Sequence, residues 1–323
     1  MIFLISSAKI YLTGCTNPHE NLAMEEAMLS GLPKGHATLF LWQNAHTVVI
    51  GSGQNAWREC DTTLLRQEGG TLARRSSGGG AVYHDLGNLN FSFIVPRDDY
   101  DVGRQLTVVM NAVRRCGLNA VKSGRNDLTI DGRKFSGNAF RLLKTAALHH
   151  GTLLIASDME KVGRYLTPDQ EKLKAKGVKS VSSRVTNLSA LGDVTVESMK
   201  TALTEAFRQE YGAAELLTAS EKNFPGYAEL LPKYRSWEWN YGSSPEGFME
   251  ISRRFSWGGL QLMAQVVGGT AQEVRAYTDS MDETLAERLA SALTGCEWRG
   301  TALAERAAAA GEADVAGWLK EIT

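Results

Sequence analysis

Cysteine is scarce in this chain. Cys15, Cys60, Cys116 and Cys296 are the only four in 323 residues, and they lie far apart. They show neither the close pairing of a zinc ligand set nor the density of a disulfide-stapled secreted domain, so reduced thiols in a cytoplasmic protein are expected. An excess of one charge is lacking too. Lys+Arg number 35 against 36 Asp+Glu, a formal net charge of -1, so nothing global draws the chain to nucleic acid or an anionic membrane, and any basic site is local. Long apolar runs are missing as well. Residues 1–5 are apolar, but Ser6, Ser7 and Lys9 interrupt them and no basic region precedes them, too short a run for a signal peptide or membrane span; they read as a first strand. There is no internal repeat, and the alanines at 307–310 are only local helix-favouring composition. What remains is ordinary globular composition, 43% hydrophobic and 22% charged, sufficient for one large or two unequal domains.

Asn17-Pro18-His19-Glu20 sets an N-cap residue before a proline at the first helical position, with a Glu placed to reach back. Leu22, Met24, Ala27 and Met28 follow, so a helix begins there. Two β-rich runs, 38–42 and 47–50, flank a polar Gln-Asn-Ala-His turn and predict paired strands. Helical patterns recur over 57–67, 102–116 and 196–211, and strand patterns over 71–75, 81–95, 128–135 and 152–156. That mixture is α+β rather than a regular βαβ array. Asp131-Gly132 between β-like runs predicts a hairpin, because both residues accept positive φ, and it places Lys134 on a strand. The turn-rich stretch from Tyr241 to Gly247 predicts a boundary between a large domain, 1–247, and a small one, 251–323. In the small domain strands are expected over 255–267 and 270–277, joined at Gly268-Gly269, with Ala-rich helices after them.

The segment Arg74-Arg75-Ser76-Ser77-Gly78-Gly79-Gly80-Ala81-Val82-Tyr83-His84-Asp85 is the most informative. Three glycines let backbone N–H groups turn toward a ligand, and two arginines add charge and planar donors, a combination suited to phosphate or carboxylate. It is no P-loop, since Gly-Lys-Ser/Thr is absent, and no dinucleotide fingerprint, since strand-like residues follow. In Ser123-Gly124-Arg125-Asn126-Asp127, Asn126 and Asp127 offer hard oxygens of the kind Mg²⁺ takes beside nucleotide phosphates, although an Asx turn explains them equally well. Lys134 has small and apolar neighbours in Phe135, Gly137 and Ala139, so a lysine held there could bridge a substrate carboxylate and an α-phosphate. His149-His150 ends a loop leading into the 152–156 strand; adjacent strand positions face opposite ways, so the two are a poor metal pair, and one of them could line a pocket. Lys172, Lys174, Lys176, Lys179 and Arg184 form a basic, core-poor stretch, either a solvated loop or one that closes over a nucleotide. Trp237 and Trp239 read as a packing cluster.

Taken together, these blocks resemble the two-domain bacterial lipoate-protein ligases of the A type, in the biotin/lipoate ligase-transferase superfamily. The similarity spans about residues 17–259 and continues weakly beyond. Its blocks are 21–26, Val48-Val49-Ile50-Gly51 with Gln54-Asn55, 74–85, 123–128, Lys134-Phe135-Ser136-Gly137, 149–153, 183–188 and 236–240, in the right order. The resemblance implies a large mixed-sheet catalytic domain with a small α+β C-terminal domain. It implies that residues 73–80 form a lipoate-binding loop with Ser76 and Gly79, that Arg75 and Gly80, Ala81, Val82 and Tyr83 contact ATP, and that Lys134 touches both ATP and lipoate. It further implies Asn126 and Asp127 on the Mg²⁺ side, His150 by the lipoate, and the basic stretch ordering over the adenylate. Departures at Ser52-Gly53, Ala56, Phe135 and Asn138 bear on acyl preference rather than on the reaction.

The reaction so implied is activation of free lipoate by ATP to lipoyl-AMP with release of pyrophosphate, then transfer to a lysine of a carrier. Both steps build negative charge that fixed cations stabilise, which suits Lys134 as an electrostatic and positioning group rather than a covalent nucleophile. The expected partners are lipoyl domains of 2-oxoacid dehydrogenase acyltransferase subunits and the glycine cleavage carrier protein, with no nucleic acid, no membrane and a monomeric enzyme. An octanoyl- or lipoyl-transferase of the same superfamily would need a cysteine thioester and no ATP. No cysteine falls between Lys134 and Gly151. A biotin ligase would carry a Gly-Arg-Gly-Arg-type loop, which is absent, and a non-catalytic nucleotide- or carrier-binding module need not retain both Lys134 and Arg75.

Overall fold

The computed structural model describes residues 5–320 other than 55, 124–126, 167–184, 221–223, 244–247, 268–269 and 299. The chain divides into two units, Met1–Ser243 and Ser244–Thr323. Strands of the first unit are β1 (Ser7–Leu12), β2 (His36–Trp42), β3 (Thr47–Ile50), β4 (Thr71–Arg74), β5 (Val82–His84), β6 (Asn88–Pro96), β7 (Val121–Ser123), β8 (Asp127–Ile130), β9 (Arg133–Leu142), β10 (Ala146–Leu154) and β11 (Ala214–Thr218). Eight of them form one sheet in the order β11-β1-β2-β6-β10-β9-β8-β7, and the other three a small sheet, β4-β3-β5. The large sheet is mixed: β11, β1 and β2 run parallel to their neighbours in that group, and the remaining pairs are antiparallel. This is the mixed α/β architecture the sequence implies.

Helix α1 (Pro18–Ser30) starts where the Asn17 side chain accepts from the backbone N–H groups of His19 and Glu20 at 2.9 and 3.3 Å. Glu20 does not reach back to close the cap as expected. Its carboxylate instead accepts from Arg235 Nη2 at 2.7 Å and the Cys15 thiol at 3.2 Å, a stronger pairing than one backbone N–H offers. From Asn21 to Leu29 every residue of α1 is buried, because the helix lies between one face of the large sheet and helix α7 (Tyr227–Arg235), packing on Phe40, Trp42, Ile94, Leu148, Tyr227 and Tyr234. The opposite face is covered by α4 (Val102–Arg115) and α6 (Val196–Tyr211), with the Phe93 and Phe207 rings 6.1 Å apart. The small sheet packs on α2 (Ala56–Glu59), α3 (Thr62–Gln67) and α5 (Met159–Tyr165) through Val48, Ile50, Cys60, Leu65, Leu72, Tyr83 and Tyr165.

Several local readings change. The runs 38–42 and 47–50 do not pair with each other: both edges of β2 are taken by β1 and β6, so β3 crosses to the second sheet between β4 and β5. The helical pattern 57–67 is two helices, broken where the Asp61 carboxylate accepts from Leu64 N at 2.9 Å and caps α3. The 81–95 run is two strands separated by a turn in which Asp85 accepts from Gly87 N at 2.9 Å. The expected first strand falls mainly outside the described residues, and β1 begins at Ser7. His149 and His150 lie inside β10, not in a loop before it, because strand pairing with β6 and β9 starts at Ala146 and Ala147.

The second unit has an antiparallel sheet of β12 (Phe248–Arg254), β13 (Gly259–Val267) and β14 (Thr270–Thr278), followed by α8 (Leu285–Leu293), α9 (Gly300–Ala309) and α10 (Ala313–Leu319). Its core joins Leu260, Leu262 and Val274 to Leu289, Leu293, Leu303, Val315 and Leu319. The sequence pattern misses β12 and starts the next strand too early. Residues 255–258 are a turn closed by Phe255 N donating to Gly258 O at 2.7 Å.

Candidate active site

The glycine-rich segment leaves β4 at Arg74 and re-enters β5 at Val82, so it is the connection between the two outer strands of the small sheet. It lies against the turn that follows β3. Ser52 N donates to Ser77 O at 2.8 Å, and a Cβ on Gly51 would stand 2.4 Å from Gly79 O, so only glycine fits at 51. Gly79 itself has φ 92°, a conformation that favours glycine. On its other side the segment approaches the large sheet: a Cβ on Gly79 would be 3.7 Å from that of Ala139 on β9.

The two arginines do not behave as free cations. Arg74 is fully buried; its Nε donates to Trp239 O at 2.8 Å, Nη1 to the carbonyls of Gly51 and Ser52 at 3.1 Å each, and Nη2 to Asn240 O at 3.0 Å. In return the Trp239 indole N–H donates to Arg74 O at 2.8 Å, and Asn240 Oδ1 accepts from Arg74 N at 2.8 Å. The 236–240 segment is thus the clamp of this arginine, which gives the packing role expected of Trp239 a particular partner, whereas Trp237 does not join a buried cluster but stacks on Tyr241 at 6.1 Å with 61% of its surface exposed. Arg75 is buried as well and curls back on its own loop. Its Nη2 donates to Gly78 O and Gly80 O at 2.7 and 2.8 Å, and Nε to Ser77 Oγ at 3.1 Å. Burial pulls its pKa down to about 10, opposed by Glu25 and Glu59. Arg75 therefore shapes the loop from beneath.

Lys134 sits on β9 just after the Asp131-Gly132 turn, whose φ values of 50° and 73° are those of the expected hairpin. The pairing of β8 with β9 shifts at this point: Asp127 faces Gly137 and Leu128 faces Ser136, but Thr129 faces Lys134. Phe135 is the extra residue, and it is wholly buried. Because side chains alternate faces, that one-residue bulge turns Lys134 to the same side as Gly137 and Ala139. Accordingly Lys134 Nζ stands 2.7 Å from Asp127 Oδ1, and a Cβ on Gly137 would come within 3.1 Å of the same nitrogen. Lys134 O accepts from Thr186 N at 2.9 Å, so the chain beyond the basic stretch returns beside it. The basic stretch 172–184 and Asn126 lie outside the described residues.

The two histidines separate as alternation demands. His149 is buried on the α4 side, its nitrogens 2.9 Å from Gln105 Oε1 and 2.8 Å from Asn138 Oδ1, and burial holds its pKa down to about 3. His150 faces α1 and the glycine loop: Nδ1 is 2.8 Å from Glu25 Oε1 and Nε2 is 2.6 Å from Ser77 Oγ. Tyr83 turns its ring into the small-sheet core, 5.9 Å from His46 and 5.5 Å from Tyr165, leaving the backbone of Gly80, Ala81 and Val82 as the outward part of that strand entry. Ser76 is half-buried within the loop. The structure so brings together the loop residues Ser76, Gly79 and Gly80, the Lys134–Asp127 pair and His150. Sequence reasoning missed the role of Glu25, which entered only within the block 21–26 of the family resemblance, and the β9 bulge. The sole hint of the first is a Glu-Glu pair, Glu25-Glu26, in a helix otherwise apolar at this point.

Residues 17–208 match the lipoyl protein ligase A/B catalytic domain family, and residues 244–317 match the bacterial lipoate protein ligase C-terminus. The fold is similar to that of P. falciparum LipL1, solved in complex with lipoate, at 27% identity and a TM-score of 0.79, over 97% of this chain and 99% of that one. A bipartite lipoate protein ligase from Thermoplasma acidophilum, studied with its E2 lipoyl domain, matches at 32% identity and a TM-score of 0.67, over 75% of this chain and 98% of the other. A lipoate-protein ligase A bound with ATP matches at 29% identity and a TM-score of 0.65, over 74% and 99%. Among the described residues no helix is long and apolar enough to cross a membrane.

Proposed function

The chain belongs to the lipoate-protein ligase family, and from that premise we propose that it activates free lipoate with ATP and passes the lipoyl group to a carrier lysine. The carboxylate oxygen of lipoate attacks the α-phosphorus, the bond to pyrophosphate breaks, and lipoyl-AMP forms. The carrier amine then attacks the activated carbonyl carbon, an amide forms, the amine loses a proton and AMP departs. One observation carries this reading: the bulge in β9 turns the Lys134–Asp127 pair, 2.7 Å apart, to the sheet face over which the glycine loop lies. Lys134 on that face offsets charge that develops on the carboxylate, the α-phosphate and later the leaving AMP, without becoming covalently attached.

In this proposal Ser76, Gly79, His150 and Lys134 line the lipoate, while Gly80, Ala81, Val82, Tyr83 and Lys134 meet ATP, mostly through backbone groups. Arg75 acts by holding the carbonyls of Gly78 and Gly80 away from the phosphates, so that N–H groups are left to face them. Mg²⁺ usually takes one or two protein carboxylates and completes its shell with phosphate and water. The half-exposed Asp127 carboxylate fits that need, with Asn126 as its neighbour, and the ion would neutralise phosphate charge. The carriers are lipoyl domains of 2-oxoacid dehydrogenase acyltransferase subunits and the glycine cleavage carrier protein; the T. acidophilum neighbour, studied with its E2 lipoyl domain, supports that class. The enzyme is a cytoplasmic monomer with a catalytic part, 1–247, and an accessory part, 251–323.

A cysteine-based transferase is the competing reading, and thiol chemistry weighs against it. Burial pushes the Cys15 thiol up to about 11 and Cys60 up to about 12, and raises Cys116, so none of these three in the first unit is a ready thiolate. The deciding measurement is pyrophosphate release from purified protein with ATP and Mg²⁺, comparing lipoate, octanoate and biotin with no carrier present. Lipoate-dependent release is expected. Transfer only from octanoyl-carrier protein, with no AMP formed, rejects the ligase.

A further inference from the structure

We propose that Glu25, in the middle of α1, is a positioning residue for nucleotide activation, acting through His150 and Ser77 on the glycine loop. This rests on the ligase reading above and adds a residue outside the loop and the Lys134 strand. The Trp42 indole N–H, which can only donate, reaches Ser92 Oγ at 3.0 Å. The Ser92 hydroxyl proton goes to Glu25 Oε1. From the other end, Arg75 Nε, again only a donor, reaches Ser77 Oγ at 3.1 Å. Ser77 has one proton to place, and His150 Nε2 at 2.6 Å is nearer than Gly78 O at 3.4 Å. A ring that accepts at Nε2 donates at Nδ1, and that nitrogen is 2.8 Å from Glu25 Oε1. Both arms of the chain therefore end on one carboxylate oxygen.

Every member is out of solvent. Glu25 and Ser77 are 1% exposed and His150 is 6% exposed. A buried carboxylate that accepts two hydrogen bonds is an expensive group to keep and has a definite consequence here. It selects the Nδ1–H tautomer of His150, the tautomer selects the direction of the Ser77 hydroxyl, and Ser77 anchors both Arg75 Nε and the entry to Gly78. Arg75 is the group whose remaining donors hold Gly78 O and Gly80 O. Glu25 is also the charge that most offsets the burial penalty on the Arg75 guanidinium, ahead of Glu59. The loop that would meet the phosphates is thus set from α1 on the far side of His150. The same three residue types make a nucleophile-base-carboxylate series in hydrolases. Here Ser77 receives a donor from Arg75 and is closed to solvent, which makes it an anchor and not an attacking group.

The test combines a spectroscopic signature with kinetics. In the full-length wild type, proton NMR should show a strongly downfield resonance for the His150 Nδ1–H, lost in Glu25→Gln and in His150→Ala and kept, though displaced, in Ser77→Ala. Pyrophosphate release with lipoate and ATP should fall roughly ten- to a hundredfold in Glu25→Gln and in Ser77→Ala, the scale of one hydrogen bond to a charged or charge-linked group. The double variant should be no slower than the slower single variant, because both act on one chain. Thermal melting checks folding. If Glu25→Gln does not fold, Ser77→Ala decides alone. Wild-type rate in folded Ser77→Ala, independent multiplication of the two effects, absence of the wild-type resonance, or acyl label found on Ser77 overturns the proposal. No lipoate-dependent release from the wild type sinks the ligase reading instead, and the NMR arm still reports on the hydrogen-bond chain.

Discussion

At the scale of single residues, charge and burial separate two kinds of ionisable group. The Lys134–Asp127 pair is over a third exposed on each side chain, so it adds little to stability, roughly 0–1 kcal/mol. Lys134→Ala should therefore melt like the wild type while adenylate formation falls roughly 10²-fold or more, the scale of a lost preorganised donor. Folded variant with near wild-type turnover removes Lys134 from the chemistry, and Cys116→Ser should be silent in the same assay. Glu26 is the opposite kind. Burial pushes its pKa up, but hydrogen bonds from Lys233, Tyr234 and Arg141, with the Arg141 charge, outweigh that and hold it down to about 2 from 4.5. A depressed carboxylate stabilises the fold above its unfolded pKa and loses that contribution as pH falls through the folded one. About 3 kcal/mol should thus drain away between roughly pH 4.5 and 2. Glu26→Gln should be less stable at pH 7 by denaturant titration and should lack that acid limb.

Among elements, the decisive device is the close approach of the β3 turn to the glycine loop. A methyl group on Gly51 would lie 2.4 Å from the Gly79 carbonyl oxygen and 3.1 Å from the Gly78 carbonyl carbon, both backbone atoms that cannot swing aside. Gly51→Ala should displace the loop, cost about 1–3 kcal/mol as an overpacked contact, and lower pyrophosphate release at least tenfold. Gly163→Ala, where a Cβ meets nothing within 4 Å, is the control. A loop that tolerates Gly51→Ala with full activity would not be the phosphate-facing element. The β8–β9 hairpin makes a related point: its turn was readable from Asp131-Gly132, but the side to which Lys134 points depends on the extra residue Phe135.

At the level of the whole molecule, each unit has its own sheet and core. All the candidate site groups fall in the first, and the second carries neither the glycine loop nor the lysine. We expect a protein ending at Gly247 to remain folded, to bind or transfer preformed lipoyl-adenylate, and to lose much of the overall reaction. A second unit that takes part in the cycle should make the link ligand-sensitive, so proteolysis over residues 241–247 should change when ATP and lipoate are added. Unchanged cleavage, together with full overall activity of the truncated protein, would show that the second unit takes no part.

What the sequence determined by itself is whatever local chemistry fixes. Asn17-Pro18 starts a helix, Asp131-Gly132 turns a hairpin, and residues 102–116 and 196–211 pattern as the helices that form, with Cys116 as the cap of the first. The ordered blocks around Arg74, Lys134 and His149 carried the family. Tertiary structure decided which strands pair, because both edges of β2 are occupied by β1 and β6 and none is left for β3. It decided that Arg74 and Arg75 spend their donors on carbonyls, a fate invisible in a sequence where both read as free charge. It also placed Glu25 beneath His150, 125 residues away along the chain. Such a pairing has no local signature, since it arises only when a helix and a strand that each bury their own apolar surface are stacked on one face of one sheet.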